Sequence, residues 1–229
     1  MRLNRYLAAC GFGSRRSCEA IILGGKVSIN GHFIRELATQ VVGGDVVLVA
    51  GREAKLPVSF SVIALNKPRG FVTTASDEKK RKTVYDLLPP HFRKFGYIGR
   101  LDKESEGLLL FTDDGALARR LSSPRSKVEK EYEVILDKAI EPEHIDKLRR
   151  GFHIIGGRAK MEEIRRVSAI RLRVVLTQGI KRQIRLMFYE LGYEVERLCR
   201  LRIGSVELGD MPVGHYRALR KAEVEELGG

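Results

Sequence analysis

Gly99-Arg100-Leu101-Asp102-Lys103-Glu104-Ser105-Glu106-Gly107-Leu108-Leu109-Leu110-Phe111-Thr112-Asp113-Asp114-Gly115 is the stretch on which the reading of this chain turns. A Gly-Arg-Leu step delivers one carboxylate, Asp102, just ahead of Leu108–Phe111, an unbroken apolar run that reads as a strand buried on both faces. Asp113-Asp114-Gly115 then turns that strand into a helix carrying Leu117, Arg119, Arg120 and Leu121. A lone Asp in a loop is usually a turn or cap residue. Here no Ser/His, thiol or metal constellation competes with it, so if the chain is an enzyme, Asp102 is the leading candidate for its chemistry.

Outward from that segment the pattern is a mixture of strands and helices. Val62–Asn66 reads as an apolar strand, broken by Lys67-Pro68-Arg69-Gly70 and resumed at Phe71–Thr74. Residues 84–88 begin a short helix that Pro89-Pro90 stops. Tyr132–Leu136 and Arg171–Leu176 alternate as strands, and residues 183–191 form a helix burying Ile184, Met187, Phe188 and Leu191. Strands and helices mixed irregularly predict an α+β domain over residues 59–229 rather than a repeating βαβ sheet. Residues 1–58 read as a separate small unit. Leu3, Tyr6, Leu7 and Cys10 fall at helical spacing, and Ser14 caps a second helix that stops at Gly24-Gly25. Lys26–Ile29 is a strand, Asn30-Gly31 a two-residue hairpin turn, and Asp45–Val49 a last strand before the polar linker at 51–55.

Composition narrows the partner. The 229 residues carry a formal net charge of +13, which points to a polyanion. No apolar run approaches the length of a membrane span, and the absence of Trp argues against membrane-surface anchoring, so nucleic acid is favoured. Cys10, Cys18 and Cys199 have no metal-site spacing and read as reduced thiols of a cytoplasmic protein. The five His are dispersed and are assigned no chemistry.

Two resemblances give these pieces meaning. Met1–Leu7, Gly13-Ser14-Arg15-Arg16, Gly25–Gly31 and Gly44-Asp45 resemble the small αL RNA-binding module first known from a small-subunit ribosomal protein. Arg15 and Arg16 at a helix start offer guanidiniums beside free backbone amides, a phosphate site that Arg2, Arg5 and Lys26 can widen. The rest of the chain holds three separated pieces: Asp102, Tyr132 in Lys130-Glu131-Tyr132, and the basic cluster Gly179–Met187. Taken singly they read equally well as a cap, a half-buried core residue and a solvated helix face. Together with Leu65–Gly70 and the tail from Arg200 to Arg217, they resemble the signature of ribosomal RNA pseudouridine synthases of the small- and large-subunit uridine group.

That resemblance implies a mixed, mainly antiparallel sheet in the catalytic domain of a cofactor-free, metal-free isomerase, acting as a monomer on ribosomal RNA in ribosome biogenesis. It implies Asp102 as nucleophile, Tyr132 stacked on a flipped uracil, and Arg185 paired with Asp102, with Leu186 in the apolar wall against the base. Lys67, Arg69, Arg100, Lys181 and Arg182 become candidates to grip the displaced backbone. Ile180 and Leu186 stand where the family more often has basic residues, which makes target choice less transferable; Lys181 offers compensation from the next position. The rival expectation is a non-catalytic RNA-binding assembly factor using the same surface. A methyltransferase would need a glycine-rich loop after a strand, and none is present.

Overall fold

Leu3 and Leu7, four residues apart, put two leucines on one face of the first helix, and the N-terminal core is built on that face. The computed structural model describes residues 1–56 and 60–228. Helices α1 (Leu3–Ala9) and α2 (Arg15–Leu23) precede strands β1 (Val27–Ile29), β2 (His32–Ile34), β3 (Val47–Val49) and β4 (Arg52–Glu53). Ser14 caps α2, its Oγ accepting from the Ser17 amide at 3.1 Å. Asn30 and Gly31 both take positive φ (51° and 85°), the pairing a tight turn needs between right-twisted strands. β1 pairs antiparallel with β2 and β3, giving the order β2-β1-β3-β4. β3 starts at Val47 rather than the expected Asp45, whose carboxylate accepts instead from the Val42 amide and Asn30 Nδ2.

The chain divides into two compact units, Met1–Ser61 with Asp113–Gly115, and Val62–Thr112 with Ala116–Gly229. The expected boundary at 58/59 lies outside the described residues. The remaining strands are β5 (Val62–Lys67), β6 (Gly96–Ile98), β7 (Glu106–Thr112), β8 (Lys130–Leu136), β9 (Phe152–Ile154), β10 (Gly157–Ala159), β11 (Glu163–Arg166), β12 (Arg171–Leu176), β13 (Val195–Ile203), β14 (Val206–Glu207) and β15 (Tyr216–Ala218). The remaining helices are α3 (Gly115–Ser122), α4 (Pro142–Arg150), α5 (Gln183–Tyr189) and α6 (Lys221–Gly228). Among the described residues no helix is long and apolar enough to cross a membrane.

β9 and β10 form a separate hairpin, and the other strands of the larger unit make one sheet in the order β11-β12-β8-β13-β7-β5-β15, with β14 on β13 and β6 on β7. The architecture is α+β and the sheet mainly antiparallel, as the sequence predicts. Its one parallel contact joins β13 to β7 through just two residue pairs, Cys199–Glu106 and Arg200–Gly107. Gly107 permits this approach. Its φ is 99°, and a Cβ there would lie 2.7 Å from the Arg200 nitrogen and collide with the Arg200 carbonyl.

The junction separates two half-sheets with different cores. One packs Val134, Leu136, Leu172 and Val174 against Leu148 of α4 and Met187 and Phe188 of α5. In the other, β7 is covered on both faces, which is why Leu108–Phe111 is apolar without interruption. Leu108 and Leu110 meet Leu117, Leu121 and Leu227, while Leu109 and Phe111 meet Val84, Tyr85, Phe95 and Leu101. Phe71–Thr74 does not form the expected strand: Val72 makes a single bridge with Thr83, and the Thr73 hydroxyl turns to the Leu101 backbone. The expected helix at 84–88 is a 3-10 turn, Val84–Leu87, and α5 ends at Tyr189, so Leu191 follows it rather than belonging to it.

Candidate active site

Asp102 lies in the loop between β6 and β7, outside any repeating hydrogen-bond ladder, yet every backbone carbonyl from Arg100 to Ser105 accepts a hydrogen bond. Arg100 O takes Arg200 Nη1 at 3.5 Å, and Leu101 O takes Thr73 Oγ1 at 2.8 Å. Asp102 O takes Lys67 Nζ at 3.0 Å and the Ser105 amide at 3.1 Å. Lys103 O takes the Gly70 amide at 2.8 Å, Glu104 O takes Arg185 Nη2 at 3.4 Å, and Ser105 O takes Lys67 Nζ at 2.6 Å. Six held carbonyls in succession restrict the conformations open to this irregular segment. The Asp102 side chain is left one-third exposed, its relative exposure being 33%.

Lys67 is the centre of that clamp, and its placement corrects one expectation. It is 0% exposed and its ammonium also reaches Pro68 O at 3.2 Å, so it organises the loop from inside and is not available to grip an RNA backbone. Burial pushes its pKa down to about 8, against the opposing pull of Glu104 and Asp102. Below that pH the ammonium supplies one N–H to each of its three carbonyls.

A second correction concerns the charge partner. Arg182 Nη1 lies 3.9 Å from Asp102 Oδ2 and 3.6 Å from Glu104 Oε2, whereas Arg185 makes no ion pair with Asp102. Arg185 instead donates from Nη1 to Val195 O at 2.6 Å, besides its bond to Glu104 O. The difference comes from the backbone. Arg182 precedes α5 in a left-handed conformation (φ 58°, ψ 25°), uncommon for a non-glycine residue, while Arg185 is already one turn into the helix. Gln183, buried beside it, fixes this turn by donating to Lys160 O and Gln178 Oε1. Burial and Arg182 push the Arg185 guanidinium below its usual range, with Asp102 and Glu104 pulling the other way and Arg69 adding to the push. The loop carboxylates and Arg69, Arg182 and Arg185 are therefore one electrostatic cluster.

Tyr132 is half-buried on β8 and packs against both half-sheet cores. Its cross-strand neighbour on β13 is Arg200, whose Cζ lies 6.0 Å from the ring centre. Leu186 is half-buried against the α5 core, and Arg69, Arg100, Lys181 and Arg182 are exposed. In the N-terminal unit Arg2, Arg15, Arg16 and Lys26 are exposed and Arg5 is half-buried. Three residues of the site were not anticipated: Thr73, Glu104 and Arg200. Glu104 was legible as a second carboxylate two residues from Asp102. Thr73 and Arg200 were not, because each acts on the loop from 28 and 100 residues away.

Residues 61–190 match the family model described as RNA pseudouridylate synthase, and residues 1–47 match that of the S4 domain. The chain belongs to the RNA pseudouridylate synthases. It is 38% identical, over 99% of its own length and 78% of the other protein's, to the dual-specificity RNA pseudouridine synthase RluF of Escherichia coli (strain K12). It is also 38% identical to an uncharacterized RNA pseudouridine synthase of Mycobacterium leprae (strain TN), covering 99% of this chain and 92% of that one. A crystal structure of a pseudouridylate synthase superposes with a TM-score of 0.73 at 27% identity, covering 99% of both chains. This synthase is thus an RNA isomerase with an S4 domain ahead of its catalytic domain.

Proposed function

We propose that this synthase converts a particular uridine of ribosomal RNA to pseudouridine in the cytoplasm, as a monomer needing neither metal nor cofactor, with Asp102 as nucleophile and the base flipped out of the RNA. The observation that carries this is the loop itself: six consecutive carbonyls are held, while the carboxylate they position remains open to a ligand beside Arg182. In the reaction the C1′–N1 bond breaks, uracil turns over, and C1′ bonds to C5. The hydrogen on C5 is lost to a base, and N1 ends protonated. A carboxylate promotes this either by adding to the uracil ring, from which it is expelled after the C1′–C5 bond has formed, or by bonding the anomeric carbon as N1 leaves, from which C5 then displaces it.

The aromatic Tyr132 supplies a stacking surface for the uracil, and its hydroxyl suits the later proton removal from C5. Arg182 and Arg185 place positive charge beside the Asp102 carboxylate. A stacked uridine cannot reach such a loop, so the base is extruded, and Arg69, Arg100, Lys181 and Arg182 are exposed to take the displaced phosphates. The net charge of +13 and the S4 domain suit a folded RNA with single-stranded loops.

The test is pseudouridine formation in unmodified ribosomal RNA by the purified protein. The expected result is product from the natural sequence and none from Asp102→Asn or Asp102→Ala, with RNA affinity retained in both. Product from both variants would remove Asp102 from the reaction, and binding without product from any form would favour the assembly-factor reading.

A further inference from the structure

Among the described residues Lys67 and Arg200 are the buried cations, and the reaction scheme gives Arg200 no task beyond its bond to the Arg100 carbonyl. Arg200 is 3% exposed and stands where the two half-sheets join, with Tyr132 as its neighbour on β8 and Gly107 as its neighbour on β7. The parallel ladder stops at this pair. Past it, the guanidinium takes the place of backbone pairing: Nε donates to Leu108 O at 2.7 Å and Nη1 reaches Arg100 O at 3.5 Å. Its Cζ stands over the Tyr132 ring, and Nη2 is buried with no hydrogen-bond partner among the described residues.

Filling a gap between strands does not call for such a group. Burying a guanidinium costs several kcal/mol, and an apolar side chain of similar volume fills a junction at least as stably. An unsatisfied buried donor adds to that cost. What an apolar residue or a lysine lacks is the planar fork, which can bond carbonyls on two separate segments and still present a face to an aromatic ring. In this fold those three contacts are β7, the backbone two residues before Asp102, and Tyr132.

We propose that Arg200 is a positioning residue that sets the spacing between Tyr132 and the Asp102 loop, and so between a stacked base and the carboxylate. This rests on the reading of Asp102 and Tyr132 as the reacting pair. Arg200 touches neither substrate nor the reacting atoms; it acts through the ring on one side and the Arg100 carbonyl on the other. Its contribution belongs to kcat rather than to RNA binding, because misplacing reacting groups by about 1 Å costs rate on the order of 100-fold.

The experiment compares the natural sequence with Arg200→Lys and Arg200→Met in kcat, KM, RNA affinity and Tm, using unmodified ribosomal RNA as substrate at a temperature where each is folded by circular dichroism. The expected result is a loss of kcat of about tenfold or more in both variants, with KM and RNA affinity within about threefold. Free guanidinium ion, but not methylammonium, partly restores kcat in a third variant, Arg200→Ala. A kcat for Arg200→Lys within about twofold of the natural sequence overturns the proposal. So does failure of both Arg200→Lys and Arg200→Met to fold, since the guanidinium would then hold the sheet rather than the site. No product from the natural sequence overturns the reaction and this role with it, whereas an active natural sequence beside an unaffected Arg200→Lys overturns this role alone.

Discussion

Replacing Lys67 by Met tests whether the loop clamp matters to chemistry or only to packing. Methionine follows the same buried path but brings no N–H, leaving Pro68 O and Ser105 O without their bond from Lys67, and Asp102 O with the Ser105 amide alone. Hydrogen bonds from a charged donor contribute about 1.5–3 kcal/mol each, so three amount to roughly 5–9 kcal/mol. Against this, the ammonium titrates at about 8 instead of 10.5, so the variant recovers about 3 kcal/mol. The net loss is about 2–6 kcal/mol, and for a protein of this size that lowers Tm by roughly 5–20 °C. Activity falls further than stability explains, on the order of 100-fold in kcat at a temperature where the variant is folded, because the carbonyl released belongs to Asp102. The assay is release of tritium from RNA labelled at uridine C5, since forming the C1′–C5 bond expels that hydrogen. Between pH 8 and 10.5 the unfolded chain still holds the Lys67 proton that the folded chain has released, so the natural sequence gains stability relative to Lys67→Met across that window. A variant with unchanged kcat and a Tm within about 2 °C of the natural sequence would refute the clamp.

Gly107→Ala forces a Cβ into the Arg200 backbone at a φ of 99°, and is expected to cost more than about 3 kcal/mol and to yield little folded protein, read by soluble expression and calorimetry. Thr73→Val keeps the shape but removes both bonds between the Thr73 hydroxyl and the Leu101 backbone; kcat is expected to drop while RNA affinity, measured by filter binding, stays within about twofold. Glu223 is hydrogen-bonded by Arg217 and by the Arg220 amide ahead of α6, which holds its carboxyl down at about 2. Glu223→Gln is expected to cost about 1–2 kcal/mol at neutral pH. Because the contribution of Glu223 is fully present above 4.5 and lost as pH falls toward 2, the stability gap to the variant closes over that window in acid melts.

The sequence was most readable where structure is decided locally. Ser14 announces α2 by its cap, Asn30-Gly31 announces the hairpin by its φ requirement, and the alternation of Arg171–Leu176 matches β12 residue for residue. β13 escaped because its charged residues find partners far along the chain: Arg197 pairs with Glu106 and Glu133, and Arg202 with Glu129 and Glu131. A strand carrying Arg197, Arg200 and Arg202 resembles a solvated segment until those neighbours are known. Lys67 was misread for the same reason. Lysine is almost never fully buried, and nothing beside it in sequence announces the carbonyls of Asp102 and Ser105. The Asp102 segment was recognisable as a motif, but the neighbour of its carboxylate was not, because the left-handed backbone at Arg182 exchanges the roles of two arginines three residues apart.

The carbonyl clamp also has a consequence for when the site comes into being. Its side-chain donors reach the loop across 28, 35, 81 and 100 residues of chain, so closing it requires contacts that are slow to form and entropically expensive until the surrounding cores exist. Helices and hairpins can appear first while the loop still samples many shapes. A chain emerging from synthesis lacks the last of these donors until position 200 has been added, so Asp102 acquires its fixed geometry only after that point. Regain of activity on refolding should therefore lag behind regain of secondary structure, and the interval between the two measures the time the loop spends waiting for its distant partners.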